Sequence, residues 1–233
     1  MNYKQLEKYK KELKVSIDKI IREEIEMIFL SELAQDNLGT KLVFYGGTAL
    51  RLAYDSPRFS EDIDLITKQS VNLLEIKKFI KKIEKKYHWH LSDFKNKRQT
   101  IFALFKINDE KLKHPLSLKI EIHKTSPHFK LNTELRLIKS PVSVLEALLL
   151  VPSLKDLKRL KEEAIMDRKK ARDIFDLWYI CQVLRVDFNL PHKLPNFKKR
   201  LFLNELQVFL PFKYKPLIHQ LYEQVSKANK QNT

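Results

Sequence analysis

The sequence predicts an α/β (α+β) chain, with a small mixed sheet in its N-terminal half and helices alone in its C-terminal half. Three observations carry this. Short runs rich in β-branched and aromatic residues cluster between residues 42 and 123, bounded by polar or glycine-containing breaks. Beyond residue 141 the apolar residues recur at helical spacing and prolines punctuate them. Between the first strand signal and the helix signal after it stand Gly46 and Gly47, two of only three glycines in the chain. A chain this poor in glycine uses it where backbone must approach something closely or take a positive φ.

The elements follow in order. Residues 5–36 read as one or two helices, with Ile17, Ile20, Ile21, Glu24 and Ile28 near one face, and Gly39 as their C-terminal cap. Residues 42–45 are a buried strand, 48–54 a short helix opened by the Gly-Gly turn, and 63–66 a second strand. Residues 72–87 are an amphipathic helix with Leu73, Ile76, Ile80, Ile83 and Tyr87 on its apolar stripe. Strands are predicted at 88–94, 100–107 and 116–123, with 108–115 as a hairpin loop. Pro141 and Ser143 introduce a helix to Leu150, which Pro152 ends. Further helices are predicted at 155–166, 170–185, 202–209 and 216–228, with a frayed end over 229–233. The domains expected are 1–127, carrying the sheet and the N-terminal helices, and 128–233, all helical.

The 233 residues suit one large domain or two small ones, and a hydrophobic share of 43% is enough for a core. No uninterrupted apolar run is long enough for a membrane span. The first residues are polar, so no signal peptide is expected, and the lone Cys181 sits in an apolar helical run that suits packing. These features together predict a cytoplasmic protein. Lysine and arginine outnumber the acids by 45 − 29 = +16, which favours a polyanionic partner. Lys77, Lys78, Lys81, Lys82, Lys85 and Lys86 form a basic helix stripe, either a solvated face or a track for RNA that Lys193, Lys198, Lys199, Arg200, Lys213 and Lys215 could extend.

The chemistry concentrates around the glycine pair. A strand, a Gly-Gly turn and a helix start present backbone N–H groups suited to phosphate. Asp62 and Asp64 are two apart on a strand, so both carboxylates share one face. Two such carboxylates suit Mg²⁺ bridged to a nucleoside triphosphate. In the later strand, Leu118, Ile120 and Ile122 share a face, so Glu121 points the other way, flanked by Lys119 and His123. Glu121 then becomes a third metal carboxylate. His123 and His128 fit no zinc spacing, and hard Mg²⁺ prefers oxygen, so neither counts as a ligand.

Gly46-Gly47-Thr48, Ser60-x-Asp62-x-Asp64 and Glu121 resemble the DNA polymerase β-type nucleotidyltransferase superfamily. The fuller strings resemble its AbiEii/AbiGii toxin branch: Gly-Gly-Thr-Ala-Leu-Arg-Leu-Ala-Tyr from Gly46, Arg-Phe-Ser-Glu-Asp-Ile-Asp-Leu from Arg58, and the block from Lys161 through Arg168 and Ala171-Arg172-Asp173-Ile174-Phe175-Asp176-Leu177. Together they span residues 40–180. The resemblance implies a polymerase β-like core followed by a helical domain that contributes to the active site. Gly46, Gly47 and Thr48 would hold the β- and γ-phosphates, with Ser60 beside them. Asp62 and Asp64 would bind metal, Lys161 would reach the triphosphate, and Asp173 would sit near the metal or the incoming hydroxyl. Arg58 and Arg172 would pair with phosphate or with the acids. Lys158 rivals Lys161 for its role. The implied activity is Mg²⁺-dependent transfer of a nucleoside monophosphate from an NTP to RNA, with the tRNA 3′ end first. A cognate antitoxin is the implied partner. Transfer onto a protein or small molecule, and RNA binding without turnover, are the alternative readings.

Overall fold

The computed structural model describes residues 1–126, 129–191 and 194–231. The chain forms two compact units: Met1–Asp55 with Ser60–Pro152, and Ser56–Phe59 with Ser153–Thr233. Among the described residues no helix is long and apolar enough to cross a membrane.

The first unit opens with α1 (Tyr3–Leu13) and α2 (Ile17–Ala34). Asn2 caps α1 in a reciprocal box with Gln5, and Lys14 ends the helix in the left-handed region at φ 53°. The apolar stripe of α2 is buried at Ile20, Ile21, Met27, Phe29, Leu30 and Leu33. A short α3 (Leu38–Lys41) follows. Gly39 is not a C-terminal cap but lies inside α3, where a Cβ would come within 2.5 Å of the Leu33 carbonyl oxygen and 3.2 Å of the Ala34 Cα. Its small size serves a close approach to the end of α2.

Among the described residues seven strands form one sheet: β1 (Leu42–Tyr45), β2 (Asp62–Thr67), β3 (His90–Asn96), β4 (Thr100–Ile107), β5 (Leu116–His123), β6 (Thr133–Ile138) and β7 (Ala147–Pro152). Their order is β3-β4-β5-β2-β1-β7-β6. β2 runs parallel to β5 and β1 parallel to β7, and the remaining neighbours are antiparallel. The sheet is therefore mixed, as the sequence predicts. Strict alternation in β5 buries Leu118, Ile120 and Ile122 and leaves Lys119, Glu121 and His123 half-buried on the opposite face. Each fully buried aliphatic or aromatic side chain of this layer, such as Phe44 or Leu118, contributes about 1.5–3 kcal/mol. Helix α4 (Gly46–Tyr54) follows β1 directly. Helix α5 (Leu73–Tyr87) is capped by Asn72, whose side chain accepts from the Leu74 N–H, and buries Ile76, Phe79, Ile80 and Ile83.

The helix predicted to end at Leu150 is absent. That stretch is β7, with Ala147, Leu149 and Val151 buried and Leu148 exposed, and it is paired with β6, a strand the sequence reading did not place. A short apolar run fits a buried strand or a buried helix equally well by periodicity. The open edge of β1 decides it: Val43 pairs with Leu150. The sheet-bearing unit accordingly runs on to Pro152, so residues 128–152 are not the start of an all-helical half.

The second unit contains α6 (Leu154–Asp167), α7 (Ala171–Leu184), α8 (Lys199–Phe209) and α9 (Lys215–Gln231). Ser153 caps α6 by accepting from the Asp156 N–H. Ile174, Phe175, Leu177 and Cys181 of α7 pack with Phe202, Leu206, Ile218, Leu221 and Val225 of α8 and α9. Cys181 is a fully buried packing residue.

Candidate active site

The site begins where β1 becomes α4. Gly46 has φ +83°, a conformation that L side chains rarely adopt, and α4 starts on it without any side-chain cap. The first N–H groups of α4, from Gly46, Gly47 and Thr48, have no carbonyl partner within the helix. Across the β1–β2 pairing, Tyr45 lies opposite Asp64. The Asp64 carboxylate rests in the space a Gly46 side chain would fill. Thr48, only 1% exposed, turns its hydroxyl inward and donates it to the Asp62 carbonyl at 2.5 Å. Its side chain therefore fixes β2, and only its backbone N–H remains for an anion.

In β2, Ile63 and Leu65 are buried and Asp62 and Asp64 are half-buried on the opposite face. The parallel register sets Asp62 opposite Lys119 and Asp64 opposite Glu121. Residues opposite each other in neighbouring strands share a face, so β5 brings Glu121 beside the Asp-x-Asp strand. The Lys119 ammonium bridges Asp62, at 2.8 Å, and Glu121, at 3.2 Å. Burial lowers the Lys119 pKa, but these two acids outweigh it and the net direction is upward. Asp64, Glu121 and His123 each offer a donor atom within 4.8 Å of the others. His123 thus joins the acids despite its exclusion at the sequence level, and its ring packs edge-on against Tyr45 with centroids 5.8 Å apart. His128 lies outside the described residues. Ser60 is half-buried just before β2.

Helix α2 supports this arrangement from beneath. Arg22 donates to the Glu61 carbonyl at 3.0 Å and the Ser117 carbonyl at 2.7 Å, tying the start of β2 to the start of β5. Arg51 of α4 is ion-paired to the buried Glu23, which also accepts from the Ser140 hydroxyl at 2.6 Å. Glu26 is 2% exposed, and its Oε1 has no hydrogen-bond partner among the described residues. Burial, then the charge of Glu23, raises its pKa well above the ordinary carboxylate value. No local motif announces Arg22 or Glu23, because their partners are distant in sequence.

The second unit holds another group of charges. Asp176 is fully buried and takes a two-pronged bond from Arg58, at 2.6 and 2.8 Å, and an ion pair from Lys161 at 2.6 Å. Asp173, also fully buried, accepts from Lys161 at 3.0 Å and from both prongs of Arg168 at 2.9 Å. Burial alone would raise both carboxyls. Arg58 and Lys161 bring Asp176 down to about 2, and Lys161 with Arg168 brings Asp173 below its ordinary value. Of the two partners the sequence allowed Arg58, phosphate or an acid, the structure gives the acid. Asp176 therefore sits inside the unit and not on the outer face of α7. Arg172 instead lies 3.9 Å from Glu205 and over the Phe209 ring. Lys158, the rival of Lys161, pairs with Glu162.

The basic stripe of α5 is partly neutralised: Lys82 and Lys86 pair with the buried Glu32 of α2, and Lys81 with Glu84. Lys193 lies outside the described residues.

A family model described as "Nucleotidyl transferase AbiEii toxin, Type IV TA system" matches residues 28–223. No curated protein matches the chain. Three solved structures share the fold. A candidate nucleotidyltransferase from H. pylori is 24% identical with a TM-score of 0.53, over 72% of this chain and 70% of its own. JHP933 from Helicobacter pylori is 20% identical at TM-score 0.53, over 94% and 100%. The nucleotidyltransferase toxin MenT4 from Mycobacterium tuberculosis is 16% identical at TM-score 0.53, over 82% and 65%. With a family match over most of its length, the chain belongs to the AbiEii family of nucleotidyltransferase toxins of type IV toxin–antitoxin systems.

Proposed function

We propose that this toxin transfers a nucleoside monophosphate from an NTP to an RNA acceptor, the tRNA 3′ end first, and so blocks translation. The observation that carries the chemistry is the set of three carboxylates, Asp62, Asp64 and Glu121, on one face of the sheet beside the glycine-started helix. Asp64 and Glu121 offer carboxylate oxygens within 4.8 Å of one another, where a bare Cα makes room for Asp64, and Asp62 stands next to them on the same face with its carboxylate on Lys119. Mg²⁺ is the ion the family resemblance implies. When bound, it would neutralise triphosphate charge and lower the pKa of the attacking hydroxyl.

The chain's own groups would do the rest. The N–H groups of Gly46, Gly47 and Thr48 would hold the β- and γ-phosphates at the positive end of α4, with Ser60 beside them. Thr48 would keep Asp62 in place through its carbonyl. The acceptor hydroxyl would give its proton to solvent and attack the α-phosphorus, the bond from that phosphorus to the oxygen shared with the β-phosphate would break, and pyrophosphate would leave with the electron pair. Lys161, Asp173 and Arg58 are proposed as further contributors on the resemblance. Their buried pairing supports a role in holding the second unit as well. The net charge of +16 supports a polyanionic acceptor. A cognate antitoxin is the proposed partner, and the cytoplasm the proposed location.

The test is label transfer from each α-labelled NTP to total tRNA with Mg²⁺, using Asp64→Ala as control. Label on tRNA with the wild type alone is the expected result. Mg²⁺-dependent NTP binding with no labelled RNA would move the acceptor to protein or a small molecule. No NTP binding would overturn the transferase reading.

A further inference from the structure

We propose that the chain forms a homodimer in which β6 pairs with β6 of a second copy, antiparallel and with Leu135 opposite Leu135. β6 is one edge of the sheet and β3 the other. Among the described residues no backbone–backbone hydrogen bond joins residues 133–138 to any segment but β7. The outer row of N–H and C=O groups on β6 is open to another strand.

The two edges are built differently. β3 is broken by a register shift between Leu91 and Asp93 and carries the Asp93–Lys95 ion pair, and both features discourage a further strand. β6 pairs with β7 over all six of its residues without a shift, and it has no lysine or proline. Leu135 and Leu137 are exposed on one face of β6, and Leu148 of β7, the neighbour of Leu137, is exposed beside them. Pairing through this edge alone closes at two copies, because a two-fold axis engages both β6 edges.

Charge selects the register. On the other face of β6, Glu134 and Arg136 lie 3.3 Å apart with half-exposed side chains. The Arg136 Nε has no hydrogen-bond partner among the described residues. A two-fold axis perpendicular to the sheet keeps each face on its own side, so residues opposite each other must share a face. Centring that axis on Leu135 sets Glu134 against Arg136 of the second copy, and Arg136 against its Glu134. Centring it on Arg136 would oppose two arginines, and on Glu134 two glutamates. Larger shifts leave both charges unopposed. Opposite charges facing each other across a strand pair are favourable and like charges are not, so the Leu135 register is the one selected.

The experiment is sedimentation velocity of the full chain over a range of micromolar concentrations, without nucleotide or RNA. The wild type should sediment at twice the monomer mass. Glu134→Arg alone and Arg136→Glu alone should each weaken self-association by at least about tenfold, and an equimolar mixture of the two variants should restore the dimer. Glu134 and Arg136 also hold Tyr54, so a second pair of variants leaves them untouched. Opposed Cα atoms in antiparallel strands lie about 4.5–5.5 Å apart, within reach of a disulfide, so Leu135→Cys should cross-link two copies on mild oxidation. Leu137→Cys, which would face Thr133 of the second copy, should not. A wild type that stays monomeric, or cross-linking at 137 in place of 135, would overturn the proposal. A dimer that neither charge reversal weakens would overturn it as well.

Discussion

The carboxylate of Asp64 occupies the space that any side chain on Gly46 would need. Gly46 opens α4 just past the end of β1 and Asp64 lies within β2, and β1–β2 pairing brings them together: Tyr45, just before Gly46, is the partner of Asp64. Added to φ +83°, this makes glycine obligatory for two independent reasons. A methyl group would approach the Asp64 Cβ and Cγ to 3.1 Å, and neither is the far end of a flexible chain. Gly46→Ala should therefore cost about 1–3 kcal/mol of stability, read by urea unfolding, and should abolish nucleotidyl transfer. Wild-type stability in the variant would show that β1 and β2 can separate here.

The two aspartates should respond differently to loss of charge. Asp64→Asn keeps the shape against Gly46 and removes a metal donor, so transfer should fall by at least about a hundredfold with the fold intact by circular dichroism. Asp62→Asn should impair transfer as well, and it also leaves Lys119 to Glu121 alone. The Lys119 pKa should then move down from its raised value, because Asp62 is the first of the two acids holding it up against burial. NMR titration of the lysine ammonium in both variants checks this: only Asp62→Asn should shift it strongly.

Much of this face could be read from the sequence, because it depends on period-two alternation. Asp62 and Asp64, and separately Glu121, sit among apolar residues whose burial forces the acids outward, and the strand predictions at 100–107 and 116–123 match β4 and β5. Which strand lies beside which is a long-range fact, so neither Lys119 bridging Asp62 nor His123 joining Asp64 could be derived locally. The same limit explains β7: an apolar run becomes a strand because β1 offers it an edge. It also explains Asp176, which would sit on a helix surface if pairing were local and is instead buried against Arg58, far away in sequence.

Removing Asp176 should be among the most damaging single changes in the second unit. Arg58 is 2% exposed and Lys161 6%, so Asp176→Ala leaves two buried cations short of a partner and should cost about 3–5 kcal/mol by chemical denaturation. Arg168→Ala should cost less than about 1 kcal/mol, since that side chain is half-exposed and Lys161 still holds Asp173. The Asp176 carboxyl lies at about 2 in the folded chain and at 3.8 ordinarily. Its stabilising contribution is complete above the ordinary value and disappears as pH falls from there toward 2. Acid unfolding of the wild type should therefore steepen in that window, and Asp176→Asn should remove the steepening.

Glu26 should show the opposite pH dependence. Burial and the neighbouring Glu23 raise its pKa, so the folded chain keeps a proton on Glu26 that the unfolded chain releases above about 4.5. Stability is free of this penalty below the unfolded value and declines as pH rises toward the raised folded value. Glu26→Gln preserves the shape and cannot ionise. It should make the protein more stable than wild type at neutral pH, equalise the two at pH near 4, and leave transfer activity in place because Glu26 only underlies the acid face. Thermal melts of both proteins across this range would settle the matter, and a wild-type stability that climbs with pH relative to Glu26→Gln would mean that Glu26 is ionised in the fold.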